Sequence, residues 1–95
     1  MTYDINNIKV GDILVNTPYE EYFYVFDVDV ESNKPLMHGV SLRSGNLFNY
    51  KYDGWIVRDK ASDEQVEKFY NFLKDNNIVV DMNLKKIRIG FNFNT

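Results

Sequence analysis

The sequence predicts an α+β fold: a small β-barrel or strongly bent antiparallel sheet, then one amphipathic helix, then a C-terminal β-hairpin. Three observations predict it. Short runs rich in β-branched and aromatic residues, separated by Gly, Asn, Asp and Pro, fill residues 1–58. A capped helical pattern follows over 62–77, and two apolar runs around the turn Asp81 to Leu84 occupy 78–91. At 95 residues, with no linker, repeat or low-complexity stretch, the chain reads as a single domain spanning 1–95.

The elements follow in order. Gly11-Asp12 is a turn ahead of the strand Ile13-Leu14-Val15, which Asn16-Thr17-Pro18 closes. From Tyr22 to Val30 the even positions are Tyr22, Tyr24, Phe26, Val28 and Val30, while the odd ones run Phe23, Val25, Asp27, Asp29. That period-2 pattern predicts a half-buried strand with the even face inward. Ser32-Asn33-Lys34-Pro35 reads as a turn. The third strand, Leu36 to Leu42, places Leu36, His38, Val40 and Leu42 on one face. Ser44-Gly45-Asn46 turns the chain into a fourth strand, 47–52, and Asp53-Gly54 starts a fifth at Trp55–Arg58.

The helix has explicit start and stop signals. Ser62 and Gln65 form a capping box, Asp63 and Glu64 suit the positive end of the helix dipole, and Asn76-Asn77 offers a left-handed stop. Val66, Phe69, Tyr70 and Leu73 share one face. Ile78-Val79-Val80 and Lys86 to Phe91 then make a hairpin too short to stand alone, so it must pack on the helix or extend the sheet.

Composition excludes several function classes. There is no Cys, so neither a disulfide framework nor a thiolate metal cage exists, which fits a reducing, cytoplasmic setting. No apolar run nears the ~20 residues of a membrane span, and no signal-peptide core is visible, so no membrane partner is expected. The net charge of −3 is unevenly spread. Residues 1–33 carry seven acids and one Lys, residues 34–60 carry five bases and two acids, and residues 61–95 carry five of each. An acidic first third therefore precedes a basic middle.

Two stretches carry a resemblance. The opening IKVGDILV is similar to the start of SH3-like barrels, and SDEQVEKFYNFLKDNNIVVDMNLKKIRI, from Ser62 to Ile89, resembles a helix-plus-hairpin module of small uncharacterised proteins from bacterial phages and mobile elements. The resemblance implies an SH3-like barrel and a bacterial-host cytoplasm, and it carries no catalytic signature.

The candidate sites are few. His38, the single histidine, has no nucleophile or second ligand in a recognisable motif, so it is expected as a half-buried ring bonded to a backbone carbonyl. Asp27, Asp29 and Glu31 share one strand face and have the oxygen chemistry for Mg²⁺. The opposite face of the strand is apolar, so a solvated outer face accounts for them without any metal, and no metal and no cofactor is assigned. Tyr19, Glu20, Glu21, Phe23, Asp27, Asp29 and Glu31 form an acidic-aromatic face suited to a protein partner, with Phe23 expected outward. The alternative is a nucleic-acid face of Arg43, Lys51, Lys85, Lys86 and Arg88, joined by Arg58 and interleaved with Phe48, Tyr50, Tyr52 and Trp55. A sequence pI near 5.0 counts against that alternative.

No nucleophile–base pair and no phosphate-binding loop is present, so catalysis is not expected. The expected function is that of a non-catalytic, protein-binding accessory protein of phage or mobile-element type. Its sharpest form is an inhibitor of a bacterial defence nuclease, of the anti-CRISPR kind, whose basic nucleic-acid-binding surface would meet the acidic strand. An RNA-binding SH3-like module and a self-associating structural protein are the other readings, and the sequence leaves the oligomeric state open.

Overall fold

The computed structural model describes residues 8–29, 31, 34–50 and 59–90, with Lys34, Asn49 and Tyr50 described by their backbone alone. The strands are β1 (Ile13–Asn16), β2 (Glu21–Asp29), β3 (Lys34–Ser41), β4 (Leu47–Tyr50), β5 (Asp59–Lys60), β6 (Ile78–Asp81) and β7 (Lys86–Ile89). A 3-10 turn, Thr17–Tyr19, joins β1 to β2, and the helix α1 spans Asp63–Asp75. The first five strands form one antiparallel sheet in the order β4-β3-β2-β1-β5, and β6-β7 form a separate hairpin. The fold is thus α+β and antiparallel. Among the described residues the five-stranded sheet is open, because no pairing joins β4 to β5. The expected strand Trp55–Arg58 and its Asp53-Gly54 turn lie outside the described residues. No helix among the described residues is long and apolar enough to cross a membrane.

β2 is the central strand, and both of its faces are covered. On one face Ile13, Val15, Tyr22, Phe26 and Val40 pack with Phe69 and Leu73 of α1 and with Ile78 and Ile87 of the hairpin. On the other, Leu14, Phe23, Val25 and Met37 pack with Ile8, and Phe48 and Val28 lean against them. The sequence expectation of a half-buried β2 is therefore corrected. Phe23, expected outward, is 0% exposed. The reason lies in its neighbours: Phe23 and Val25 are as apolar as Tyr22 and Phe26, which is the pattern of a strand sandwiched between two layers.

A second correction concerns Asp27. The β2–β3 register pairs Val25 with Met37 and then Asp27 with Leu36, so Phe26 is an extra residue and the strand carries a β-bulge. Residues directly opposite on antiparallel strands share a face. Leu36 packs on the helix-side core, so Asp27, and Asp29 after it, lie on that face rather than on the opposite one. The Asp27 carboxylate accepts the Val28 N–H at 2.9 Å, occupying a donor within the irregular stretch. Pro35 also departs from expectation. It is buried opposite Val28 within β3, so Lys34-Pro35 opens the strand instead of completing a turn. Proline suits a first strand position because it has no N–H to leave unpaired.

The helix and hairpin form as the sequence signals. Ser62 Oγ accepts the Gln65 N–H and Gln65 Oε1 accepts the Ser62 N–H, which completes the capping box. Phe69 and Leu73 are buried, whereas Tyr70, expected on the inner face, is 43% exposed. Asn77 adopts φ +54°, the left-handed conformation that ends the helix. Its side-chain amide donates to the Gly90 carbonyl, and the Gly90 N–H donates back to the Asn77 carbonyl at 2.7 Å. Asn77 thereby ties the helix end to the far end of the hairpin, and the hairpin lies over the sheet without joining it.

Candidate functional site

The acidic and basic candidates do not form two separate faces. Glu20 occupies the residue after the 3-10 turn at φ +51°, which aims its carboxylate toward both Lys68 of α1 at 2.9 Å and Arg43 at 3.3 Å. The hydrogen bond from Lys68, then that from Arg43, holds the Glu20 carboxyl below its ordinary range. Asp27 meets Lys85 of the hairpin turn at 3.6 Å. Arg88 donates to Asp81 at 2.8 Å, and that bond together with the Leu84 N–H lowers the Asp81 carboxyl. Glu21 accepts from Asn16 at 3.4 Å, while Asp29 and Glu31 are exposed.

Of the acidic-aromatic set, then, Tyr19 stands outward at 60% exposure and Phe23 is core. Of the basic set, Arg43, Lys85 and Arg88 are each paired with a carboxylate, and Lys86 forms no ion pair among the described residues. Phe48 packs into the core, and Lys51, Tyr52, Trp55 and Arg58 lie outside the described residues. Among the described residues no group of three or more His, Asp or Glu side chains is placed to hold a metal ion.

His38 differs from expectation in the direction of its hydrogen bond. The ring is 7% exposed on the helix side of β3, and Nδ1 accepts the Ile87 N–H at 3.1 Å. An accepting Nδ1 carries no proton, so the neutral ring has its hydrogen on Nε2. Burial, and then the neighbouring Lys86 ammonium, push the His38 pKa down, which favours this neutral form. β7 is thus pinned to the sheet by a side chain where a strand partner would otherwise sit. A cleft of about 450 Å³ opens beside the bond, lined by His38, Leu47, Lys86, Ile87, Arg88 and Ile89.

The hairpin also carries an apolar surface that the sequence pattern does not announce. Val79, Met82, Leu84 and Ile89 are exposed, Leu84 at 60% and Met82 at 49%, and the middle two sit in the turn between β6 and β7. The available signal is two large apolar residues inside a predicted turn, where Asn, Asp, Gly or Ser is the ordinary choice. Comparison with known protein families, with curated proteins and with solved structures found no match to this chain.

Proposed function

We propose that the chain is a non-catalytic protein-binding protein that engages its partner through the β6–β7 hairpin. One observation carries this reading. Four of the seven large apolar side chains exposed among the described residues fall within Ile78–Ile89, and two of them form the turn at its tip. Large apolar side chains exposed at a hairpin tip, as Met82 and Leu84 are, cost solubility unless a partner covers them, and Met adapts well to a partner's shape. The hairpin offers that surface from a firm base, since Ile78 and Ile87 are buried beneath it.

The narrower role, an accessory protein of phage or mobile-element type that inhibits a bacterial defence nuclease, draws support from the resemblance of the Ser62–Ile89 module. An SH3-like barrel would need strand pairing beyond the described residues. An acidic face presented by Glu20 and Asp27 has less support, because both carboxylates are held by cations of the same chain. The same pairing weakens the nucleic-acid reading, since Arg43, Lys85 and Arg88 would have to leave carboxylates to reach phosphates.

The test uses affinity capture from bacterial host extract, with the captured protein then purified and titrated. The expected result is a one-to-one complex that Met82→Asp plus Leu84→Asp abolishes while circular dichroism stays unchanged. A complex that survives this double variant but fails with Glu21→Lys plus Asp29→Lys would return the interface to the acidic strand. A salt-dependent shift of single-stranded RNA would favour the nucleic-acid reading, and a dimer by light scattering would favour self-association.

A further inference from the structure

The cleft between β7 and the sheet is lined by groups whose chemistry points to a ligand. One wall is His38, more than nine-tenths buried, with Nδ1 committed to the Ile87 N–H. Its remaining polar group is the Nε2–H, which has no hydrogen-bond partner among the described residues. A buried donor without an acceptor is costly and marks a place where an acceptor belongs. Lys86 stands at the same cleft and makes no ion pair among the described residues, whereas Arg88 is already held by Asp81 and by the Ile89 carbonyl. The rest of the lining is aliphatic: Leu47, Ile87 and Ile89, the last 53% exposed.

We infer that this cleft binds a small amphiphilic monocarboxylate, its carboxylate between the Lys86 ammonium and the His38 Nε2–H and its hydrocarbon body on Leu47, Ile87 and Ile89. A carboxylate accepts from both donors at once, which a neutral acceptor does less strongly. A volume of about 450 Å³ lies within the range of small-molecule sites. The lowered pKa of His38 keeps the ring in the neutral, Nε2-protonated form that the site requires. The tip residues Met82 and Leu84 do not line the cleft, while Ile89 borders both surfaces.

The experiment titrates the full chain at neutral pH with hexanoate, 1-hexanol and acetate up to low-millimolar concentrations, followed by ¹H–¹⁵N NMR. Hexanoate is expected to shift the Ile87 and Lys86 amides and the His38 Nε2 resonance saturably. Hexanol lacks the charge and acetate lacks the tail, so each is expected to bind about tenfold more weakly or worse. Lys86→Gln, at an exposed position that makes no ion pair among the described residues, should weaken hexanoate about tenfold. Lys60→Gln, on β5 at the opposite edge of the sheet, should leave it unchanged. Equal affinity for hexanol, an unaltered Lys86→Gln variant, or no shift with hexanoate would each overturn the inference.

Discussion

Replacing Gly39 by alanine tests the two-sided sheet directly. Gly39 is buried in the middle of β3, opposite Phe23 on β2 and Phe48 on β4. A Cβ built there would lie 2.5 Å from the Tyr22 carbonyl oxygen and 2.6 Å from Phe23 Cε1, and closer still to Phe23 Cδ1. Relief would need the Phe23 ring to move, yet that ring is fully buried among Leu14, Val25 and Met37. The Tyr22 carbonyl belongs to the central strand and cannot retreat without disturbing its ladder. Overpacking costs about 1–3 kcal/mol when side chains can adjust. With backbone on one side and a locked ring on the other, Gly39→Ala is expected at the upper end, about 3 kcal/mol. For a domain of this size that is a fall in Tm of about 12–24 °C. Thermal unfolding followed by circular dichroism, with urea titration alongside, reads it. Phe23→Leu combined with Gly39→Ala should cost at least about 1 kcal/mol less than the two single changes added together. A Gly39→Ala protein that melts within a few degrees of wild type would refute the close passage of Phe23 over β3. Strict additivity would refute the role of the ring.

Two further outcomes follow from the hairpin's attachments. Asn77→Ala forces a Cβ residue without a local polar partner into the left-handed region and removes the amide bond to Gly90, so it should destabilise by about 1–2 kcal/mol in urea unfolding. Because burial and then Lys86 lower the His38 pKa in the folded state, the unfolded chain takes up the proton first as pH falls. The His38 contribution is complete above the unfolded value of about 6.5 and is lost as pH drops from there toward the folded pKa, at no more than about 1.4 kcal/mol per pH unit. Lys86 and Arg88 of β7 are the charged groups that line the cleft with His38, and Lys86 is the one that lowers its pKa. Urea unfolding of wild type and His38→Leu at several pH values checks this, since the variant should lack that slope.

The helix and the hairpin are legible in the sequence because their signals are local. The Ser62–Gln65 box and the left-handed Asn77 are settled within a turn of backbone. What escapes depends on distance along the chain. Alternation misplaces Phe23 because it implies a wet face, when the first aspartate on the odd positions comes only at Asp27. The bulge at Phe26 has no turn residue as a marker, yet it moves Asp27 to the opposite side of the sheet. The His38 bond spans 49 residues, and no sequence pattern says whether a lone imidazole accepts or donates. Of the candidate site, Tyr19 keeps its expected exposure; the hairpin tip and the His38 cleft emerge only from tertiary packing.

The uneven charge along the chain has an internal use. Asp12 with Lys60, Glu20 with Arg43 and Lys68, and Asp27 with Lys85 each join an acid of the first third to a base further on. Exposed pairs of this kind are worth little individually, so they orient elements more than they stabilise them. A charge exchange separates that role from partner recognition. Asp27→Lys alone sets two cations together at the hairpin turn and should displace it, seen as NMR shifts from Met82 to Lys86, while Lys85→Asp alone places two acids there. Combining them restores an opposite pair with its direction reversed. If Asp27 serves the fold, the combined variant should recover the hairpin resonances and full partner binding. If Asp27 itself meets a basic partner, the combined variant should recover the resonances yet still fail to bind, because the carboxylate has moved across to the hairpin. Recovery of both is the expected result, since the Asp27 carboxylate already has Lys85 3.6 Å away.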